Sequence, residues 1–233
     1  MNLYRFPLTA IDVEETRRYA GLAKAGEAFP EKLLQAACQE GLLYIEGRAT
    51  WTSYGYDHMQ GLIKSPRPYQ LEGQDILKHL SKAEEVVILA ATIGPELEKA
   101  VEEHFASGLY THAVLLDAVG TTAIEAIANQ ANRLIEEEAK RRGYEATWRF
   151  SPGYGDWELS VQGLLLSLTE ANRLPLDLTT HSMLQPQKSI TAIIGLIPRE
   201  EREQADIAGS IICRNQCASC KQKNCPARKE SIR

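Results

Sequence analysis

Three groups of residues combine types and spacings that do chemistry. The first is Arg149-Phe150-Ser151-Pro152-Gly153-Tyr154-Gly155-Asp156-Trp157, which reads as a strand end, a tight Pro- and Gly-shaped loop and the approach to a helix. Arg149 is suited to a bidentate pair with a carboxylate. The Pro-Gly backbone leaves amide and carbonyl groups around Ser151 and Gly153 for the edge of a planar ring, and Tyr154 offers a flat contact with a polar tip. The other reading of this segment is a rigid connector whose arginine pairs with a surface acid. The second group, Asp117, Thr121, Glu125 and Asn129, recurs every four residues and forms one polar stripe on a helix, either a ligand wall or a solvated face. The third is Cys213-x3-Cys217-x2-Cys220-x4-Cys225-Pro226. Four thiols in so short a stretch can wrap one metal centre. Their compactness favours an iron–sulfur cluster, with zinc as the alternative, since structural zinc usually takes two Cys pairs set further apart.

The elements that position these groups follow from periodicity. A first helix is expected from Asp12, as N-cap, to Leu22, and a second from Pro30 through Cys38. The Trp-, Tyr-, Gly- and Pro-rich stretch from Thr50 to Tyr69 reads as loop with short strands. Its aromatics either pack the core or face a partner. Glu85 to Thr92 reads as a buried strand, Glu96 to Phe105 as a helix, and Tyr110 to Arg142 as a long helix closed by Gly143. The first half of that long helix is rich in Ala and Gly, so another backbone or a ligand can come close. Tyr144 to Phe150 reads as a strand, Leu159 to Ala171 as a helix and Ile190 to Ile197 as an apolar strand. The charged run after Ile197 places a boundary between residues 1–198 and a Cys-rich tail, 199–233.

Bulk properties narrow the partners. A hydrophobic share of 44% with 24% charged residues describes a folded chain, and a net charge of -5 argues against nucleic acid as partner. No apolar run is long enough to span a membrane and the start has no signal-peptide core, so a cytoplasmic protein is expected. In a reducing compartment the cysteine cluster reads as metal ligands rather than disulfides. The five histidines show no metal-ligand spacing, and His181 reads as a strand or surface residue.

Arg149 to Tyr154 resembles the Arg-x-x-x-Gly-Tyr signature of the activation (reactivation) domain of cobalamin-dependent methionine synthase. Leu178-Thr179, followed by Pro186-x-x-Ser189, is similar to the strand pair that follows the signature there, with His181 in place of a family serine. The small-residue helix before the loop agrees, and Glu125 stands where the family has a ligand-contacting glutamate. The resemblance spans roughly Asp12 to Leu196 and implies an α+β fold, a bent antiparallel sheet with packed helices. It also implies S-adenosylmethionine as ligand, with Arg149 on its carboxylate, Glu125 on its amino group, the Ser151 backbone on adenine, Tyr154 shaping the loop and Gly153 among the binding residues. The family's later tyrosine contact is missing, because no Tyr follows Tyr154.

The implied task is reactivation: one-electron reduction and methylation of an inert cob(II)alamin carried by a partner, a cobalamin-dependent methionine synthase or another corrinoid protein. The cobalt is the nucleophile, so no catalytic side chain is expected, only orientation and a dry approach. Stand-alone relatives of this domain resemble the tail at Cys217, Cys220 and Cys225. An iron–sulfur centre there would deliver the electron, and Arg214, Lys221, Lys223, Arg228 and Lys229 would suit an acidic flavodoxin or ferredoxin donor. Plain solvation of a small metal knuckle is the other reading of those charges.

Overall fold

A computed structural model describes residues 3–22, 29–169 and 171–199. The Cys-rich tail, with Cys213, Cys217, Cys220 and Cys225, lies outside the described residues. The fold is α+β, built on a seven-stranded sheet of order β4-β3-β2-β5-β9-β6, with β1 also paired to β2. Its strands are β1 (Tyr4–Arg5), β2 (Arg48–Asp57), β3 (Leu62–Lys64), β4 (Tyr69–Gln70), β5 (Glu85–Thr92) and β6 (Tyr144–Ala146), with β9 (Ser189–Pro198) between β5 and β6. All pairings are antiparallel.

β5 explains the layering. Flanked by β2 and β9 along its full length, it buries both faces. Val87, Leu89 and Ala91 enter one core, while Val86 and Ile88 enter another, as the two-residue period of a strand requires. The first core is covered by α1 (Val13–Tyr19), α2 (Glu31–Gly41), α4 (Glu96–Ala106) and α5 (Tyr110–Arg141). The second lies under α3 (Gln74–His79), α6 (Gln162–Leu168) and the loop bearing Trp157. A small hairpin, β7 (Asp177–Leu178) with β8 (Leu184–Gln185), precedes β9.

The small residues of α5 serve helix packing. A Cβ on Gly120 would stand 2.8 Å from Leu97 Cδ2 of α4, and one on Gly41 of α2 would strike Val119. Asp12 caps α1 as expected, accepting the Glu15 N–H at 3.0 Å, and Gly143 closes α5 at φ +83°.

Three expectations need correction. Residues 50–69 are mostly strand. β2 is half-buried and contains Gly55, so it shows no clean alternation, but it pairs with β5 over eight residues. Its aromatics pack inward: Tyr4 stacks on Trp51 at 4.0 Å, Tyr56 is buried, and the Tyr54 hydroxyl donates to the Leu168 carbonyl at 2.7 Å. The strand expected over 144–150 is broken after Ala146, and the helix expected over 159–171 is a short α6 between two 3-10 turns.

Candidate functional site

The break after Ala146 aims Arg149. Ala146 pairs with Leu196, and Phe150 bridges Ile193. Three residues therefore intervene on one strand against two on the other, which is a β-bulge. The Thr147 N–H donates to the Gly195 carbonyl at 2.8 Å, and the Thr147 Oγ1 accepts the Gly195 N–H at 2.9 Å, a side chain standing in for a strand carbonyl. A Cβ on Gly195 would sit 2.9 Å from Leu80 Cδ2 and 3.2 Å from Thr147 Cγ2, so a glycine lets the bulge close without displacing either neighbour. Phe150 then points into the core beside Trp157, while Arg149 turns to α5.

Arg149 is only 2% exposed. Its Nη2 donates to Glu125 Oε2 at 3.1 Å and to Asn129 Oδ1 at 3.2 Å. The lower half of the same stripe meets a second cation. Lys188, which enters β9, places Nζ 2.8 Å from Asp117 Oδ1 and 3.0 Å from Thr121 Oγ1. Its backbone N–H donates to Glu98 of α4 at 2.8 Å. All four stripe residues thus meet a cation, Arg149 or Lys188, while the Asp117 side chain stays 52% exposed. Glu125 keeps a 35% exposed side chain, so its carboxylate stays reachable from solvent.

The signature loop is held by its own bonds. Gly153, at φ +91°, donates its N–H to the Trp157 carbonyl at 2.7 Å, and the Ser151 carbonyl accepts the Tyr154 N–H at 3.1 Å. The Gly153 amide is therefore engaged within the loop, while the Ser151 carbonyl retains a second lone pair for an incoming donor. Tyr154 is 40% exposed and meets Phe150 edge-on at 5.9 Å. Asp156 anchors the turn: its carboxylate accepts the N–H groups of Gln74 at 2.6 Å and Asp75 at 3.0 Å, capping α3 from across the fold.

Several residues around the site were not visible as functional in the sequence. Lys188 and Asp156 act through partners more than 60 residues away in sequence. Tyr19 approaches from α1, which docks through a Thr16–Thr122 hydroxyl contact at 3.1 Å. Burial, and then the Glu125 charge, raise the Tyr19 phenol above its usual range. His79 supports the bulge from beneath, its Nε2 2.9 Å from the Trp148 carbonyl oxygen and 3.0 Å from Thr147 Oγ1. Burial pushes it down to about 4, against the pull of that carbonyl. His181 is an exposed turn residue. The histidines do hold one surprise: His104 and His112, with no telling spacing, converge on Glu40.

A crystal structure of the MetH reactivation domain bound to AdoHcy superposes on this chain with a TM-score of 0.59, over 84% of this chain and 78% of that one. The chain has the reactivation-domain fold. At 14% identity the likeness is one of architecture, and no family model and no curated protein matches the sequence. Within that fold, the bulge presents Arg149 to Glu125 and Asn129 of α5. Among the described residues, no helix is long and apolar enough to cross a membrane.

Proposed function

We propose that this chain binds S-adenosylmethionine between α5 and the Arg149–Tyr154 loop, and supports reductive methylation of a corrinoid on a methionine synthase or related protein. The observation that carries this reading is the buried Arg149 beside a solvent-reachable Glu125, set in a fold shared with a domain bound to AdoHcy. An amino-acid zwitterion needs a fixed cation for its carboxylate and an acid for its ammonium. Arg149 and Glu125 are that pair, already positioned by the bulge and the helix. Asn129 holds the guanidinium; in this reading the Ser151 carbonyl would accept from the adenine amino group and Tyr154 would close the loop side. S-adenosylmethionine, when bound, supplies a methyl group on a sulfonium. The chain's own contribution is orientation and exclusion of water, so no general acid or base is assigned. In the tail, Cys213, Cys217, Cys220 and Cys225 would hold an iron–sulfur cluster, or zinc, with the cluster passing an electron from a flavodoxin- or ferredoxin-like donor.

Calorimetric titration of the full chain with S-adenosylmethionine tests the site. Binding that is abolished in Arg149→Ala, with an unchanged far-ultraviolet spectrum, supports it; unchanged binding by that variant sinks it. A second reading, a corrinoid-protein docking or redox adaptor without the adenosyl ligand, is favoured by the absence of any Tyr beyond Tyr154. Titration that shows no heat with the wild-type chain selects that reading.

A further inference from the structure

Away from the adenosyl site, three helices bring Glu40, His104 and His112 together. His104 lies in the last turn of α4, His112 in the first turn of α5 and Glu40 near the end of α2. His104 Nε2 is 2.7 Å from Glu40 Oε1, and His112 Nε2 is 2.6 Å from Glu40 Oε2. The imidazole centroids are 5.0 Å apart at 79°, and one ligand atom from each residue lies within 4.8 Å of the others. We propose that these three side chains form a binding site for a divalent transition-metal ion of the zinc class.

The donor set decides the class. Two imidazoles and a carboxylate suit zinc, cobalt(II), nickel(II) or iron(II), whereas calcium and magnesium seek oxygen-only shells. A tetrahedral zinc with bonds of about 2.0–2.2 Å sets its ligand atoms roughly 3.3–3.5 Å apart. The observed pairs thus need to open by about 1 Å or less to admit the ion. The side chains are 23%, 24% and 23% exposed, enough for an ion and a water to reach the fourth position without unfolding a helix. Each oxygen of the Glu40 carboxylate faces a different imidazole, so the carboxylate lies between the two nitrogen donors. An imidazole that binds the ion through Nε2 offers that nitrogen's lone pair, with any ring hydrogen on Nδ1.

Such an ion would fasten the start of α5 to α2 and α4. His112 and Glu125 are separated by about 20 Å along the helix axis, so the metal would brace the helix that carries the stripe without touching the adenosyl ligand.

The test is a cobalt(II) titration of the full chain after chelator treatment. Tail thiolates bound to cobalt give an intense sulfur-to-metal charge-transfer absorption; imidazole and carboxylate ligands give only weak visible bands. His104→Ala/His112→Ala is expected to lose one equivalent of bound metal while the charge-transfer absorption is retained. Glu40→Gln, which keeps the hydrogen-bonding shape, is expected to weaken the same equivalent. Equal stoichiometry in wild type and double variant overturns the site. Should the double variant not fold, nitrogen-15 imidazole spectra of the wild type decide the matter. His104 and His112 Nε2 resonances that shift on zinc addition support the site, and resonances that stay fixed overturn it.

Discussion

Arg149 donates to Glu125 across 3.1 Å, joining a strand bulge to the middle of the long helix α5 through a guanidinium that is 2% exposed. The asymmetry of burial sets the outcome of substitution. Removing the partly exposed acid takes the Glu125 carboxylate from a buried guanidinium and leaves it Asn129, whereas Glu125→Gln keeps an acceptor in place. Glu125→Ala is therefore expected to cost about 1–3 kcal/mol in urea melts, and Glu125→Gln less than half of that. Both should weaken S-adenosylmethionine binding in calorimetry. If the alanine variant binds as well as wild type, Glu125 does not take the amino group.

Asp156 gives a second lever on the same loop. It caps α3 through the Gln74 and Asp75 amides, since Gly73, at φ +114°, has no side chain to cap its own helix. Asp156→Ala should lose about 1–2 kcal/mol, in the range of a lost N-cap with a charged acceptor. Asp156→Asn should recover much of that loss. Because the carboxylate also pins the turn, the alanine variant is expected to bind adenosyl ligand more weakly by calorimetry than its stability loss alone would produce.

His79 makes the bulge sensitive to acid. It is packed 4.4 Å from the Trp148 ring and 5.2 Å from Phe150, and burial lowers it from 6.5 to about 4. Between those values the unfolded chain takes up a proton that the native chain refuses. Stability should therefore fall as the pH drops through this window, by at most about 3 kcal/mol once below it. Denaturant midpoints measured from pH 7 to 4 should slope downward, and His79→Gln should flatten that slope. An unchanged slope in the variant would assign the acid sensitivity to other groups.

Much of the architecture was legible because it obeys local periods. β5 is an unbroken apolar run since both faces are buried, and α5 shows its small-residue face and its polar stripe in plain four-residue spacing. The Arg149 loop was legible as a tight turn, because Pro152, Gly153 and Gly155 mark one, and both glycines take a positive φ. β2 was hidden by half-burial, which blurs alternation. The partners of the stripe were hidden for a different reason. Lys188 and Arg149 meet α5 through strand order and a bulge, and no spacing along the chain encodes either. The Glu40–His104–His112 group is likewise a product of helix packing alone.

Gly195 is the point where the bulge can be tested without replacing any polar side chain. A methyl there would meet Leu80 Cδ2 at 2.9 Å, Ala83 Cβ at 3.1 Å and Thr147 Cγ2 at 3.2 Å. Leu80 has rotamers to use, but Ala83 has none, and a displaced Thr147 would give up its bond to the Gly195 amide. Gly195→Ala is expected to destabilise by about 1–3 kcal/mol, the usual range for overpacking a closed core. The diagnostic result lies in ligand binding at a temperature where the variant remains folded. If the bulge aims Arg149, adenosyl affinity should drop in a variant whose site side chains are all intact. Wild-type affinity in a destabilised Gly195→Ala would mean that α5, through Glu125 and Asn129, orients the guanidinium by itself.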